Sequence, residues 1–124
     1  MKASYLLITA ALAISTTACA ENNVPIQYSQ VSLSPLTASR QDVGNVRIDF
    51  KVPPESQYYI AGADYQVVDG VLSVKILRCS IHEPCKAMVE LVPGLPPAMG
   101  QLVIPFEGSR VKIEHGDGIQ SFDI

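Results

Sequence analysis

The pair Cys79 and Cys85 is where residue type and spacing bear most directly on chemistry. Ser80, Ile81, His82, Glu83 and Pro84 lie between them. Thiolate, imidazole and carboxylate are all metal-ligand types, so Cys79, His82, Glu83 and Cys85 have the composition of a compact metal site. The competing chemistry is oxidation. In an oxidising compartment the two thiols join, and an oxidised sulfur donates no thiolate to a metal. The spacing is not the C-x-x-C of a thiol oxidoreductase. It suits a local disulfide that pins a loop between two strands, and closing so short a ring stabilises by roughly 2 kcal/mol in the chain-entropy picture. Pro84 further restricts how the loop folds inward. Nor do His82 and Glu83 begin a zincin helix, because Lys86 stands where H-E-x-x-H needs its second histidine. A Cys79–Cys85 disulfide without a metal is therefore the expectation.

Other candidates for catalysis are sparse. His82 and His115 are the only histidines, and both fall on expected turns or loops, as exposed polar residues. Asp117 follows His115 by two places, but a single carboxylate is far short of the oxygen set that calcium takes. No G-x-S-x-G elbow marks an activated serine, and no glycine-rich phosphate loop is present. Alternating strands give no spacing from which paired carboxylates for glycoside chemistry can be picked out. Met88, Met99, His82 and His115 are of the types that serve copper outside the cytoplasm. They are scattered, without a Met-x-Met cluster, and Met88 reads as a core residue with Met99 on a loop. The expectation is a protein that is not an enzyme, with no catalytic residue, resident metal or cofactor.

Surface recognition is the remaining kind of function. The loop clamped by Cys79 and Cys85 would present Ile81, His82 and Glu83 at one end of the fold. A second, proline-rich loop, from Gly94 to Gly100, is stiff and apolar, with Leu95 and Met99 expected to be exposed. A stiff loop loses little conformational entropy on docking, which favours a protein partner.

The elements that must hold these loops are strands, since period-two alternation dominates and no helical stripe appears. Tyr28, Val31 and Leu33, with Ile26 before them, suggest a first strand with a phase slip at Ser29-Gln30. The clearest strand follows Gly44, where Val46, Ile48, Phe50 and Val52 face one way and Arg47, Asp49 and Lys51 the other. Tyr58 to Ile60 form the next, with a kink at Gly62. Asp69-Gly70 between Tyr65–Val68 and Val71–Leu77 predicts a two-residue hairpin turn. Ala87, Val89 and Leu91 suggest another strand, and Leu102, Ile104 and Phe106 one at a sheet edge, because Pro105 lacks the ladder donor. Val111 and Ile113 lead to a second hairpin at His115–Gly118, and Ile119–Ile124 ends the chain. Seven or eight short strands at this spacing predict an immunoglobulin-like two-sheet antiparallel β-sandwich, in architecture alone, with a small antiparallel barrel as the alternative.

The chain has 124 residues, of which 17% are charged and 48% hydrophobic, with no tryptophan. One domain over residues 26–124 is the expectation, behind a leader. Lys2 followed by the apolar run Tyr5–Ile14 and small residues has the form of a bacterial signal peptide over residues 1–19. Two exits from it compete. Ala18-Cys19-Ala20 is an A-x-A cleavage site releasing a soluble protein from Glu21. Thr16-Thr17-Ala18-Cys19 instead resembles a relaxed lipobox, with Thr16 where leucine is usual, and would leave Cys19 lipidated. Residues 20–25 then serve as a short spacer. Either route leaves Cys79 and Cys85 alone together. The net charge of −3, one unit more negative once Lys2 is removed, argues against nucleic acid and anionic lipid as partners. The sequence thus points to a periplasmic or outer-membrane-anchored envelope protein that binds another protein or an envelope component through its loops. An enzyme inhibitor or immunity-type protein, and a copper carrier, are the alternatives.

Overall fold

A computed structural model describes residues 27–124; the expected signal peptide, Cys19 and the spacer lie outside the described residues. Seven strands follow a short 3-10 turn: β1 (Thr37–Asp42), β2 (Asn45–Lys51), β3 (Tyr58–Val68), β4 (Val71–Ser80), β5 (Met99–Pro105), β6 (Arg110–His115) and β7 (Gly118–Asp123). They form two sheets, ordered β1-β2-β5 and β3-β4-β6-β7. The expected two-sheet sandwich is therefore present.

Alternation supplies the core as the sequence implies. Val46, Ile48 and Phe50 of β2 and Leu102 and Ile104 of β5 face Leu72, Val74 and Ile76 of β4 and Val111 and Ile113 of β6, all of them buried. Each such side chain contributes about 1.5–3 kcal/mol by leaving water. Gly100 lies opposite Phe50 in the β2–β5 register, where it leaves room for the ring. The hairpin between β3 and β4 turns at Asp69 and Gly70, with φ of 53° and 78°, the paired left-handed conformations of a type I′ turn. Gly62 sits at a bulge in β3, as its expected kink required. Pro105 ends β5, an edge strand.

Five expectations are corrected. Not all pairing is antiparallel, because β4 and β6 run parallel from Val71↔Arg110 to Val74↔Ile113. The cause is the route of the chain. It leaves β4 at one end, runs back along β5 in the opposite sheet, and so enters β6 at the end where β4 began. Second, the expected first strand contains a 3-10 turn at Val31–Leu33, held by N–H bonds from Ser32, Leu33 and Ser34 to the carbonyls of Ser29, Gln30 and Val31. Leu33 alone plugs the core there, while Val31 stands 77% exposed. Third, Ala87–Val92 is no strand. It touches β3 at one bridge, Ala63↔Val89, and then donates from Val92 N–H to the Gln101 carbonyl of β5 at 2.9 Å. This strap must cross from one sheet to the other, so it cannot stay paired with either. Fourth, Met88 on the strap is exposed, with its Sδ receiving the Tyr65 N–H at 3.4 Å. Fifth, His115 is buried, because it shares the inward parity of Val111 and Ile113; its Nε2 lies 3.0 Å from Gln120 Oε1.

One strand went unforeseen. The residues of β1 are nearly all polar, and only Ala38 packs on the core. An edge strand of this kind borrows its place from its partner. The turn that joins it to β2 is set by Asp42 Oδ1, which accepts from Gly44 N–H at 3.0 Å and Asn45 Nδ2 at 2.9 Å.

Candidate functional site

The ends of β2 and β4 and the starts of β3 and β5 meet at one end of the sandwich. Two proline-bearing segments cross that end. Pro53 and Pro54 stop β2 and carry the chain to the other sheet, with Val52 N–H still bonded to the Ala98 carbonyl at 2.9 Å. The second segment, Pro93–Gly100, folds back on itself through Met99 N–H to the Pro96 carbonyl at 2.9 Å. Between the two runs an open groove of about 490 Å³. Tyr28, Pro54 and Tyr58 line one side of it, and Leu91, Leu95, Pro97 and Met99 the other.

A polar knot adjoins this groove through three of its lining residues, Tyr28, Glu55 and Tyr58. Arg78 has the inward parity of Leu72, Val74 and Ile76, one turn of the pleat beyond the core, so its cation needs partners. It finds three. Its Nε donates to Glu55 Oε2 at 3.0 Å and its Nη2 donates to the same carboxylate. Its guanidinium carbon stands 4.1 Å from the centre of the Tyr58 ring and 5.3 Å from that of Tyr28. The Tyr28 hydroxyl donates to Glu55 Oε1. Both charged side chains keep about a fifth of their surface in water, 21% for Arg78 and 18% for Glu55.

These contacts fix the protonation of the knot. The Arg78 guanidinium hydrogen-bonded to Glu55 draws its carboxyl below the ordinary glutamate value of 4.5, against the opposing effect of burial. Burial first, and then the neighbouring Glu55 carboxylate, push the Tyr28 phenol above its ordinary 10.0. Arg78 is raised, chiefly by its bonds to Glu55. Glu55 and Arg78 are therefore held charged and the Tyr28 phenol neutral around neutral pH. The arrangement holds the Tyr28 and Tyr58 rings against the Arg78 guanidinium.

A pH dependence follows from Glu55. Its folded pKa is depressed, so its stabilisation is complete above 4.5 and is lost as pH falls through that value toward the folded one. Urea unfolding of the native chain and of Glu55→Gln should differ most near neutrality. The gap between them should narrow as the pH is lowered from 7 to about 3.

The sequence-derived recognition residues divide between two places. Leu95 and Met99 line the groove, Met99 exposed as expected and Leu95 half-buried rather than exposed. Ile81, His82 and Glu83 do not line it. They sit on the loop closed by the Cys79–Cys85 disulfide, whose Cα atoms lie 5.8 Å apart. That loop is exposed, and Ile81 N–H donates to the Gln57 carbonyl at 3.0 Å, which ties it to the connector beside the groove. Tyr28, Glu55, Tyr58 and Arg78 were missed. The signal for Arg78 was present in the sequence, a lone cation at an inward position of an apolar strand.

The copper-type residues are not assembled. His115 is inside, His82 is on the disulfide loop, Met88 lies over β3, and Met99 pairs with Lys51 of β2. Among the described residues no three His, Cys, Asp or Glu side chains are placed to share an ion. Comparison with protein-family models, with curated proteins and with solved structures finds no match.

Proposed function

We propose that this chain is an exported envelope protein that acts by binding another protein at the groove end of the sandwich, without catalysis. One observation carries the reading: the groove is walled by prolines, leucines, a methionine and two tyrosines that are held by the Arg78–Glu55 ion pair. Aromatic and methionine side chains with little freedom left to lose are the type that dominates protein recognition. The charge pattern supports a partner that is neither nucleic acid nor anionic membrane. The disulfide supports an oxidising compartment, in which Cys19 is either removed with the leader or lipidated as an outer-membrane tether. A second reading, an inhibitor that plugs an enzyme with its clamped loop, is favoured by Ile81, which stands 50% exposed on that loop.

The test is capture from the native envelope, with mass spectrometry of the partner and of the mature N-terminus, followed by titration of that partner. Leu95→Asp and Met99→Asp are expected to weaken binding at least tenfold, about 1.4 kcal/mol. Ile81→Ala with His82→Ala is expected to leave it unchanged. The reverse pattern would establish the inhibitor reading, and full affinity in all the variants would remove the groove from consideration.

A further inference from the structure

Each sheet has two outer edges, and three of the four are guarded. On β1 the register breaks at a bulge between Arg40 and Asp42. The edge of β5 is engaged by Val92 N–H and ends at Pro105. The edge of β3 is covered by the strap at Ala63↔Val89. Bulges, prolines and covering segments are the devices by which sheets avoid pairing with other chains. Among the described residues the outer edge of β7 has none. Its register against β6 is unbroken from His115↔Gly118 to Arg110↔Asp123, and it contains neither proline nor lysine. Among the described residues no backbone hydrogen bond reaches that edge.

The direction of the β7 backbone groups is also fixed. Ile124 N–H donates to the Ser109 carbonyl at 2.8 Å, on the β6 side. By alternation Phe122 and Gln120 also turn toward β6, and Ile119, Ser121 and Asp123 turn their N–H and C=O groups outward. These three are symmetric about Ser121. An antiparallel copy of the same strand, related by a two-fold axis at Ser121, would set Ser121 against Ser121 and Ile119 against Asp123. All outward groups are then paired. The contacts are compatible: serine hydroxyls bond across strands, the Asp123 carboxylate is already paired with Arg110 at 3.1 Å, and Ile119, now 59% exposed, gains cover.

We propose that β7 is a self-association edge, through which two copies of this chain join their four-stranded sheets into one continuous sheet. An edge-only interface falls below the area of a standard stable complex, so the dimer is reversible and concentration-dependent. Because the pairing is antiparallel, the two grooves would point to opposite ends of the dimer.

Sedimentation velocity on the purified full chain, from about 1 μM to about 1 mM, should show conversion of monomer to dimer. Ser121→Pro removes only an outward N–H, which an edge strand tolerates, and should remain monomeric with an unchanged melting temperature. Ser121→Lys, which sets two cations against each other at the seam, is the second variant should the proline disturb folding. Ser121→Cys should give a disulfide-linked dimer on non-reducing gels, since hydrogen-bonded antiparallel partners have Cα atoms about 5.5 Å apart. Ser39→Cys on β1 should not. A chain monomeric throughout with no Ser121→Cys cross-link would overturn the proposal. So would a dimer indifferent to both Ser121→Pro and Ser121→Lys, or a monomer whose β7 edge instead captures a different protein.

Discussion

Replacing Gly62 by alanine should destabilise the domain by about 3 kcal/mol, with a fall in melting temperature of roughly 10–20 °C. Two effects combine at this position. Its φ of +140° is a backbone conformation that side chains rarely adopt. A Cβ there would also stand 2.0 Å from the Val89 carbonyl oxygen, which belongs to the backbone of the strap and cannot rotate away. The strap must shift, breaking the paired bonds between Ala63 and Val89, of 2.9 and 3.1 Å. Amide hydrogen exchange should therefore rise first at Val89 and Ala63, before the β4–β6 core is affected. Because the strap leads into Leu91 and the proline segment, the partner binding proposed for the groove should weaken as well. Gly44→Ala is the control, since a Cβ at Gly44 meets nothing within 4 Å. That variant should keep full stability in urea.

Ile113→Ala should cost about 3–4 kcal/mol, a large part of the margin of a domain this size. Ile113 has no exposed surface and stands on β6 directly beside Val74 of β4. Truncation leaves a void between strands whose pairing cannot slide, because a one-residue slip would turn the whole inward set to solvent. Ile119→Ala, on the neighbouring strand but 59% exposed, should change stability by less than about 0.5 kcal/mol. Equilibrium urea unfolding of the two variants checks both values, and similar losses would mean that the two faces of the sheet are misassigned.

The core was legible because burial writes itself into alternation. Val46, Ile48 and Phe50 on one strand, and Val111 and Ile113 on another, can point only one way, and the Asp69-Gly70 turn can close only one kind of hairpin. What alternation does not record is where a strand stands in its sheet. The residues of β1 form a strand because β2 lies beside them, and their own polarity reads as loop. Ala87–Val92 has the opposite history. Its alternation is real, with Val89 and Leu91 packed against the core, yet its two hydrogen-bond partners lie in different sheets. The groove was half legible. Leu95 and Met99 announced themselves as apolar residues in a stiff loop, whereas Tyr28 and Tyr58 became part of a site only through Arg78. That arginine joins three segments distant in sequence, a relation no local spacing expresses.

The parallel pairing of β4 with β6 also bears on the order in which the fold assembles. Three hairpins, β1–β2, β3–β4 and β6–β7, need only short loops to close, so each can form early. Joining β4 to β6, and β2 to β5, requires long stretches of chain to be brought back before any contact repays the lost entropy. Such non-local pairings place a domain in the slow class, folding in milliseconds to seconds. The Cys79–Cys85 ring, from the end of β4 into the segment that leads to β5, lies inside the longer of these connections, the return from β2 to β5, and shortens its effective contour once formed. Oxidation is itself slow, taking seconds or longer. Refolding from the reduced state should therefore lag behind refolding with the disulfide intact, and during that lag the β4 edge is open to other chains.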